Sequence, residues 1–218
     1  MRNIFSIFIG ILFTLLNFSC QSKKETRQEI YFNDFESNNL SSIENGKISF
    51  FNKTKVLGNY NNGGFALNLI QLPNHDLVEI TFDLYIHDSW DGNKLGGGID
   101  GPDLWKILVN ETIYVNTTFS NNECFSAFCS PQSYPNNYPN NNNNPKSGSS
   151  NKDLPGFCSL ANTIGGSSVY KIKKTIIHQT SDFHLQCLDQ LVQTNVTNSL
   201  CDESWSVDNL KIILINLN

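Results

Sequence analysis

Leu77 to Ile86 reads LVEITFDLYI. Val78, Ile80, Phe82, Leu84 and Ile86 fall on one side of an extended chain, and Glu79, Thr81, Asp83 and Tyr85 on the other. Only Leu77 breaks the polar set. A period of two held over this length predicts a half-buried β-strand. To its right, Leu104 to Val109 is short, apolar and β-branched toward its end, and predicts a second strand. Between them lies His87 to Trp105, HDSWDGNKLGGGIDGPDLW. This connection is too glycine-rich for a helix and too long for a hairpin turn. Loops of that length inside compact domains are functional or disordered, and Trp90 and Trp105 argue against disorder.

The loop is rich in oxygen donors. Asp88, Asp91, Asn93, Asp100 and Asp103 offer side-chain oxygens at close spacing, and the glycines let backbone carbonyls turn inward. A hard cation such as Ca²⁺ asks for this chemistry. The spacing is not that of the twelve-residue helix-loop-helix calcium motif. Asp and Gly serve turn geometry as well, so a solvated acidic turn stands beside the calcium reading.

Farther out, strands recur. Glu29 to Glu36, Lys47 to Phe51, Lys55 to Tyr60 and Phe65 to Leu72 precede the central stretch. Thr112 to Phe119, Ser168 to His178, Asp182 to Leu191 and Glu203 to Leu217 follow it. Turn signals such as Asn61-Asn62-Gly63-Gly64 separate them. Beyond the leader there is no 3.6-residue periodicity of useful length. Many short strands with frequent turns predict an all-β, antiparallel sandwich or barrel. Residues 29–218 make one domain, and 135–156, PNNYPNNNNNPKSGSSNKDLPG, form a low-complexity, Asn-rich loop with almost nothing to bury, expected to be a mobile surface insertion.

Only 16% of the 218 residues are charged and the net charge is −5. That balance opposes a nucleic-acid partner. Residues 1–19 form a leader: Arg2 supplies the positive end, and Ile4 to Leu16 an apolar run too short to span a bilayer comfortably. LLNFSC follows, then QSKKE. Leu16, Ser19 and Cys20 resemble a bacterial lipoprotein signal, with Asn17 and Phe18 departing from its strict pattern. The resemblance implies that Cys20 carries a diacylglycerol anchor, that residues 20–28 are a polar tether, and that the protein is held at the cell-envelope membrane. An ordinary cleaved secretory signal is the alternative.

Export permits disulfides. Five cysteines follow Cys20, an odd number. Cys124 and Cys129 can close a small loop, and Cys187 and Cys201 flank a hairpin. Those two pairings are expected, with Cys158 left over and able to replace any partner. The Asn-x-Ser/Thr sequons at Asn52, Asn110, Asn116 and Asn195 are expected to be unused.

A family resemblance enters with both chain ends. The opening NDFES and the closing DESWSVDNLKI resemble the first and last strands of extracellular jelly-roll modules, among them carbohydrate-binding modules and MAM-type adhesion domains. In these the terminal strands lie side by side and share a structural calcium ion. The matching positions are Phe35-Glu36 and Trp205-Ser206-Val207-Asp208-Asn209-Leu210. The middle resembles a group of uncharacterised secreted bacterial modules through Asp88 to Gly92, Gly101 to Trp105, Thr117 to Asn121 and Gln132 to Pro135. The likeness spans Glu29 to Leu217 and implies fold more firmly than activity.

The residues agree on calcium. Asp34 and Glu36 sit two apart, which on one strand aims them the same way. Asp208 cannot lie comfortably in an apolar face without a partner. Calcium is therefore expected with Asp34, Glu36 and Asp208, and with Asp88, Asp91 and Asp103 in the central loop. For ligand contact, Trp90, Tyr134 and Tyr138 offer flat faces to sugar rings and Asn93 can read hydroxyls, whereas Trp105 and Trp205 alternate with core positions. The expected function is non-catalytic binding, to a glycan or an adhesive surface. A structural or protein-binding surface lipoprotein is the alternative. A glycoside hydrolase is disfavoured, because Glu79-Ile80-Thr81-Phe82-Asp83 lacks the carboxylate spacing that related sandwich glycosidases use, and no G-x-S-x-G is present.

Overall fold

A computed structural model describes residues 25–94, 100–122, 124 and 129–217. The described strands are β1 (Glu25–Asn33), β2 (Ile43–Glu44), β3 (Ile48–Phe51), β4 (Thr54–Tyr60), β5 (Gly64–Leu69), β6 (Leu77–Asp88), β7 (Leu104–Val109), β8 (Thr112–Thr118), β9 (Asn151–Pro155), β10 (Ile164–Ile177), β11 (Phe183–Gln190) and β12 (Glu203–Leu217). One helical turn, α1 (Ser199–Asp202), precedes β12, with Asn198 accepting from the Cys201 N–H as its cap.

The strands form two antiparallel sheets. One runs β3-β4-β12-β6-β10-β9, the other β2-β5-β11-β7-β8. Stripped of the outer strands, the sheets are β4-β12-β6-β10 facing β5-β11-β7-β8. The chain crosses between them at nearly every connection, which is the double Greek key of a jelly roll. β4 pairs with Trp205 to Val207 of β12, while β1 pairs along the same strand from Leu210 to Leu217. First and last strands therefore lie side by side.

β6 is the central ladder of its sheet, flanked by β12 and β10. Its inward residues Val78, Ile80, Phe82, Leu84 and Ile86 are all buried, as the alternation predicts. Facing strands contribute Trp105, Ile107, Leu185 and Cys187 to the same core, with Trp90, Trp205, Phe119 and Tyr170. Aromatic side chains remove roughly 150–250 Å² each from water, so these rings carry much of the driving force.

Three boundaries differ from expectation. β1 begins at Glu25, within the segment read as tether, because Glu25 to Gln28 pair with Leu217 to Leu214. Asp34 and Glu36 lie in a turn beyond β1, where Phe35 has φ of 60°, so strand alternation does not aim them. The Asn-rich loop is tied down: Gln132 and Asn143 exchange backbone hydrogen bonds at 2.9 and 2.7 Å, and β9 within it pairs with β10. Amide side chains that cannot build a core still satisfy backbone groups.

Candidate functional site

β9 pairs only with the first part of β10, up to Val169. Beyond it, β10 runs on toward Ile177 with β6 on one side, and β8 is the edge of the facing sheet. The sandwich stands open between these two edges, and a cleft of about 410 Å³ lies there. Tyr114 and Val115 of β8, the segment Tyr134 to Asn137, and Ile172 to Lys174 of β10 line it, with Trp105 and Ile107 deeper in. Tyr134 is wedged against Phe119 at 4.9 Å and edge-on to Tyr170 at 5.1 Å, so its ring is fixed. Burial raises the Tyr134 phenol above its ordinary range, keeping it a neutral donor. The segment is laced to β8: Tyr138 N–H donates to Asn116 O at 2.8 Å, and Asn116 N–H to Asn137 Oδ1 at 3.2 Å. The indole N–H of Trp105 is buried and has no acceptor among the described residues.

A second feature lies at the loop end of the sandwich. Asp103 is fully buried, and its Oδ2 accepts from the N–H groups of Asp91 and Gly92, the latter at 3.0 Å. Glu203, at the start of β12, is fully buried too. Gln193 Nε2 donates to Asp202 Oδ2 at 2.5 Å and to Glu203 Oε1 at 3.3 Å. Lys94 pairs with Asp100, and with Asp91 at 3.7 Å. Burial first, then repulsion among Asp91, Asp100, Asp103, Asp202 and Glu203, pushes the Asp103 and Glu203 carboxyls well above the usual range. Among the described residues, no three acidic, imidazole or thiol groups stand at metal-ligand convergence.

A third lies where the terminal strands meet. Asp208 is 5% exposed and stands directly across from Asp83. Burial, then the nearby Asp83, Glu36 and Asp34, push its carboxyl up to about 6, against a hydrogen bond from Asn209 N–H. Asp34 and Glu36, in the turn after β1, thus lie near Asp208, and the β6–β12 register adds Asp83. Glu36 already accepts from Thr54 Oγ1 and from Lys55 N–H at 2.9 Å.

Several expected site residues are placed elsewhere. Trp90 is fully buried, donates to Ser204 O at 2.9 Å and packs against Phe119, so it offers no face to a ligand. The Asn93 amide is consumed internally: it donates to Asn141 O at 2.7 Å and accepts from Ser133 at 2.9 Å and from Thr118. Asp88 is parted from Asp91 and Asp103 in role. Its carboxylate accepts from the N–H groups of Cys158 at 3.1 Å and Leu160 at 2.8 Å, clamping the chain after β9 onto β6. Cys124 pairs with Cys129. Cys201 pairs with Cys158 instead of Cys187, which is buried and, among the described residues, a free thiol. Cys20 lies outside the described residues.

The alternation of Phe183, Leu185 and Cys187 on β11 carries the signal for that last correction, since all three face the core. Glu203 and Gln193 had no such signal. They join Asp103 only through strand register and the chain path before β12. Tyr114, Asn136 and Asn137 were likewise unmarked, because a cleft between two sheet edges is a property of the closed sandwich.

No family model matches the chain, and no curated protein matches it. Solved structures do resemble it. A family 35 carbohydrate-binding module from Clostridium thermocellum aligns at 10% identity and TM-score 0.35, over 78% of this chain and 88% of that one. The mannan-recognising carbohydrate-binding module TmCBM27 aligns at 12% identity and TM-score 0.38, over 87% and 98%. A family GH115 4-O-methyl-alpha-glucuronidase with specificity for decorated arabinogalactans aligns at 10% identity and TM-score 0.38, over 86% of this chain and 18% of its own. At such scores the function has to come from the chain's own geometry.

Proposed function

We propose that this chain is a non-catalytic binding module, lipid-anchored at Cys20 to the cell-envelope membrane, that takes a glycan in the cleft between β8 and β10. The observation that carries this reading is the cleft's lining: two half-buried tyrosines, amides from Asn136 and Asn137, and the unpartnered Trp105 N–H below. Flat apolar faces beside a few hydrogen-bonding groups suit sugar rings, whose axial C–H groups stack while their hydroxyls bond. A buried donor without an acceptor is costly, and a ligand oxygen would satisfy it. Calcium at the Asp34, Glu36, Asp83 and Asp208 corner would be structural, offsetting like charges where the chain ends meet.

A glycan array probed with the purified chain tests the reading. Binding to a defined glycan, weakened at least about tenfold by Tyr134→Ala, is the expected result, because losing a stacked ring and its hydrogen bond costs more than about 1.4 kcal/mol. A folded wild-type sample silent on every glycan defeats it and shifts the reading to a protein partner.

A further inference from the structure

The alternation of β10 breaks at one residue. Tyr170, Ile172 and Ile176 point into the sandwich and are buried, while Lys171, Lys173 and Ile177 are exposed on the other face. Lys174 stands on the inward face, between Ile172 and Ile176 and directly across from the fully buried Ile80 of β6. It is half-buried. Its outward neighbours are matched: Lys171 pairs with Asp83 at 3.1 Å and Lys173 with Glu79 at 2.8 Å. Among the described residues, the Lys174 ammonium has no carboxylate or other acceptor. A charge on the core side of a strand is costly unless its head reaches water or an anion.

The space open to that head is the β8–β10 cleft, which Lys174 lines. The other polar groups of the cleft are also donors. Trp105 offers its indole N–H. Asn137 Oδ1 is taken by the Asn116 N–H at 3.2 Å and Asn136 Oδ1 by Asn143 Nδ2 at 3.4 Å, which leaves the two NH₂ groups to donate. No aspartate or glutamate among the described residues lines the cleft, in a chain of net charge −5.

We propose that this cleft selects an acidic glycan, one whose sugar ring carries a carboxylate or a sulfate group, with Lys174 meeting the anion and Tyr134 stacking on the ring. The inference rests on the glycan reading of the cleft and adds the charge of the ligand. Closing a neutral sugar over Lys174 would strip water from the ammonium without replacing it, whereas an anion restores the lost interaction in a medium where ion pairs are stronger than in bulk water. Charge-assisted hydrogen bonds add direction.

Calorimetric titration of the purified chain tests this with two matched pairs of probes. One pair is a galacturonic acid oligosaccharide and its fully methyl-esterified form. The other is a sulfated galactan oligosaccharide and its desulfated form. In at least one pair the acidic member is expected to bind at least about tenfold tighter than the neutral one, and the pair that shows it tells carboxylate from sulfate. K174M is expected to erase that preference and K174R to keep it. No preference for the acidic member in either pair overturns the proposal, and so does a preference that survives in K174M; neutral glycan bound through Tyr134 would then leave the wider glycan reading standing. Silence of the folded wild type on all four probes overturns it too, and the glycan array decides whether the wider reading falls with it. Methionine puts an apolar chain of similar length between Ile172 and Ile176, so K174M is expected to melt at or above wild type. Should circular dichroism show it unfolded, K174Q decides by the same comparison.

Discussion

His87 sits on the outward side of β6 and is nevertheless fully buried. Phe51 at 4.4 Å and Phe157 at 5.2 Å cap it, and its nitrogens meet Ser167 at 2.9 Å and Ser206 at 2.7 Å. Burial drives the imidazole down to about 3. The folded ring is therefore neutral where the unfolded one, titrating near 6.5, takes up a proton. Its contribution to stability is full above pH 6.5 and is lost as pH falls toward 3, at about 1.4 kcal/mol per pH unit. Denaturant titrations of wild type and His87→Gln between pH 7 and about 4 should show the variant losing stability less steeply by that slope. Equal slopes would mean that His87 is solvated. The sequence placed His87 at the head of a polar loop. That it lies under a second apolar cluster of Phe51, Val56 and Leu154 depends on β9 returning over the sheet.

That return is an element-scale feature. β9 and the chain after it fold over the outer face of β6 and are held by the Asp88 clamp and by Cys158–Cys201, whose partners are 43 residues apart. Closing a loop of that size restricts the unfolded chain by about 4 kcal/mol in the loop-entropy account. Cys201→Ser should accordingly lower unfolding free energy by roughly 3–4 kcal/mol, measured by urea denaturation. A loss well under 1 kcal/mol would indicate that the bridge joins parts already ordered without it. Strand existence was legible here and segment order was not. β6 appears where period-two alternation put it, and β7, read from a short apolar run, and β12 appear with the expected bounds. The Asn-rich insertion looked mobile because its composition has no apolar payload, yet backbone hydrogen bonds from Gln132, Asn143, Lys146 and Ser150 seat it on the sandwich.

For the molecule as a whole, the two chain ends meet along β12. Asp208 and Asp83 face each other there, and ionising Asp208 above about pH 6 opposes folding until something positive arrives. In chelator at pH 8, Asp208→Asn should melt at or above wild type. Added calcium should raise the wild-type melting temperature by several degrees and the variant's by less. Identical calcium shifts in the two proteins would rule out an ion at this corner. The acidic groups of this corner were legible as residue types at each end of the chain. Asp83, read as a solvated face residue of β6, enters only through its register with β12.

Alternation of side chains at period two, turn residues between runs and a short apolar leader determined the all-β class and the expectation of export. Those signals are local, because a strand's two faces are written in neighbouring residues. Which cysteine is left over, which tryptophan is hidden and which carboxylates share a volume were decided by closure of the jelly roll. Burial and charge proximity belong to pairs of segments far apart in the chain, and no local pattern encodes their meeting.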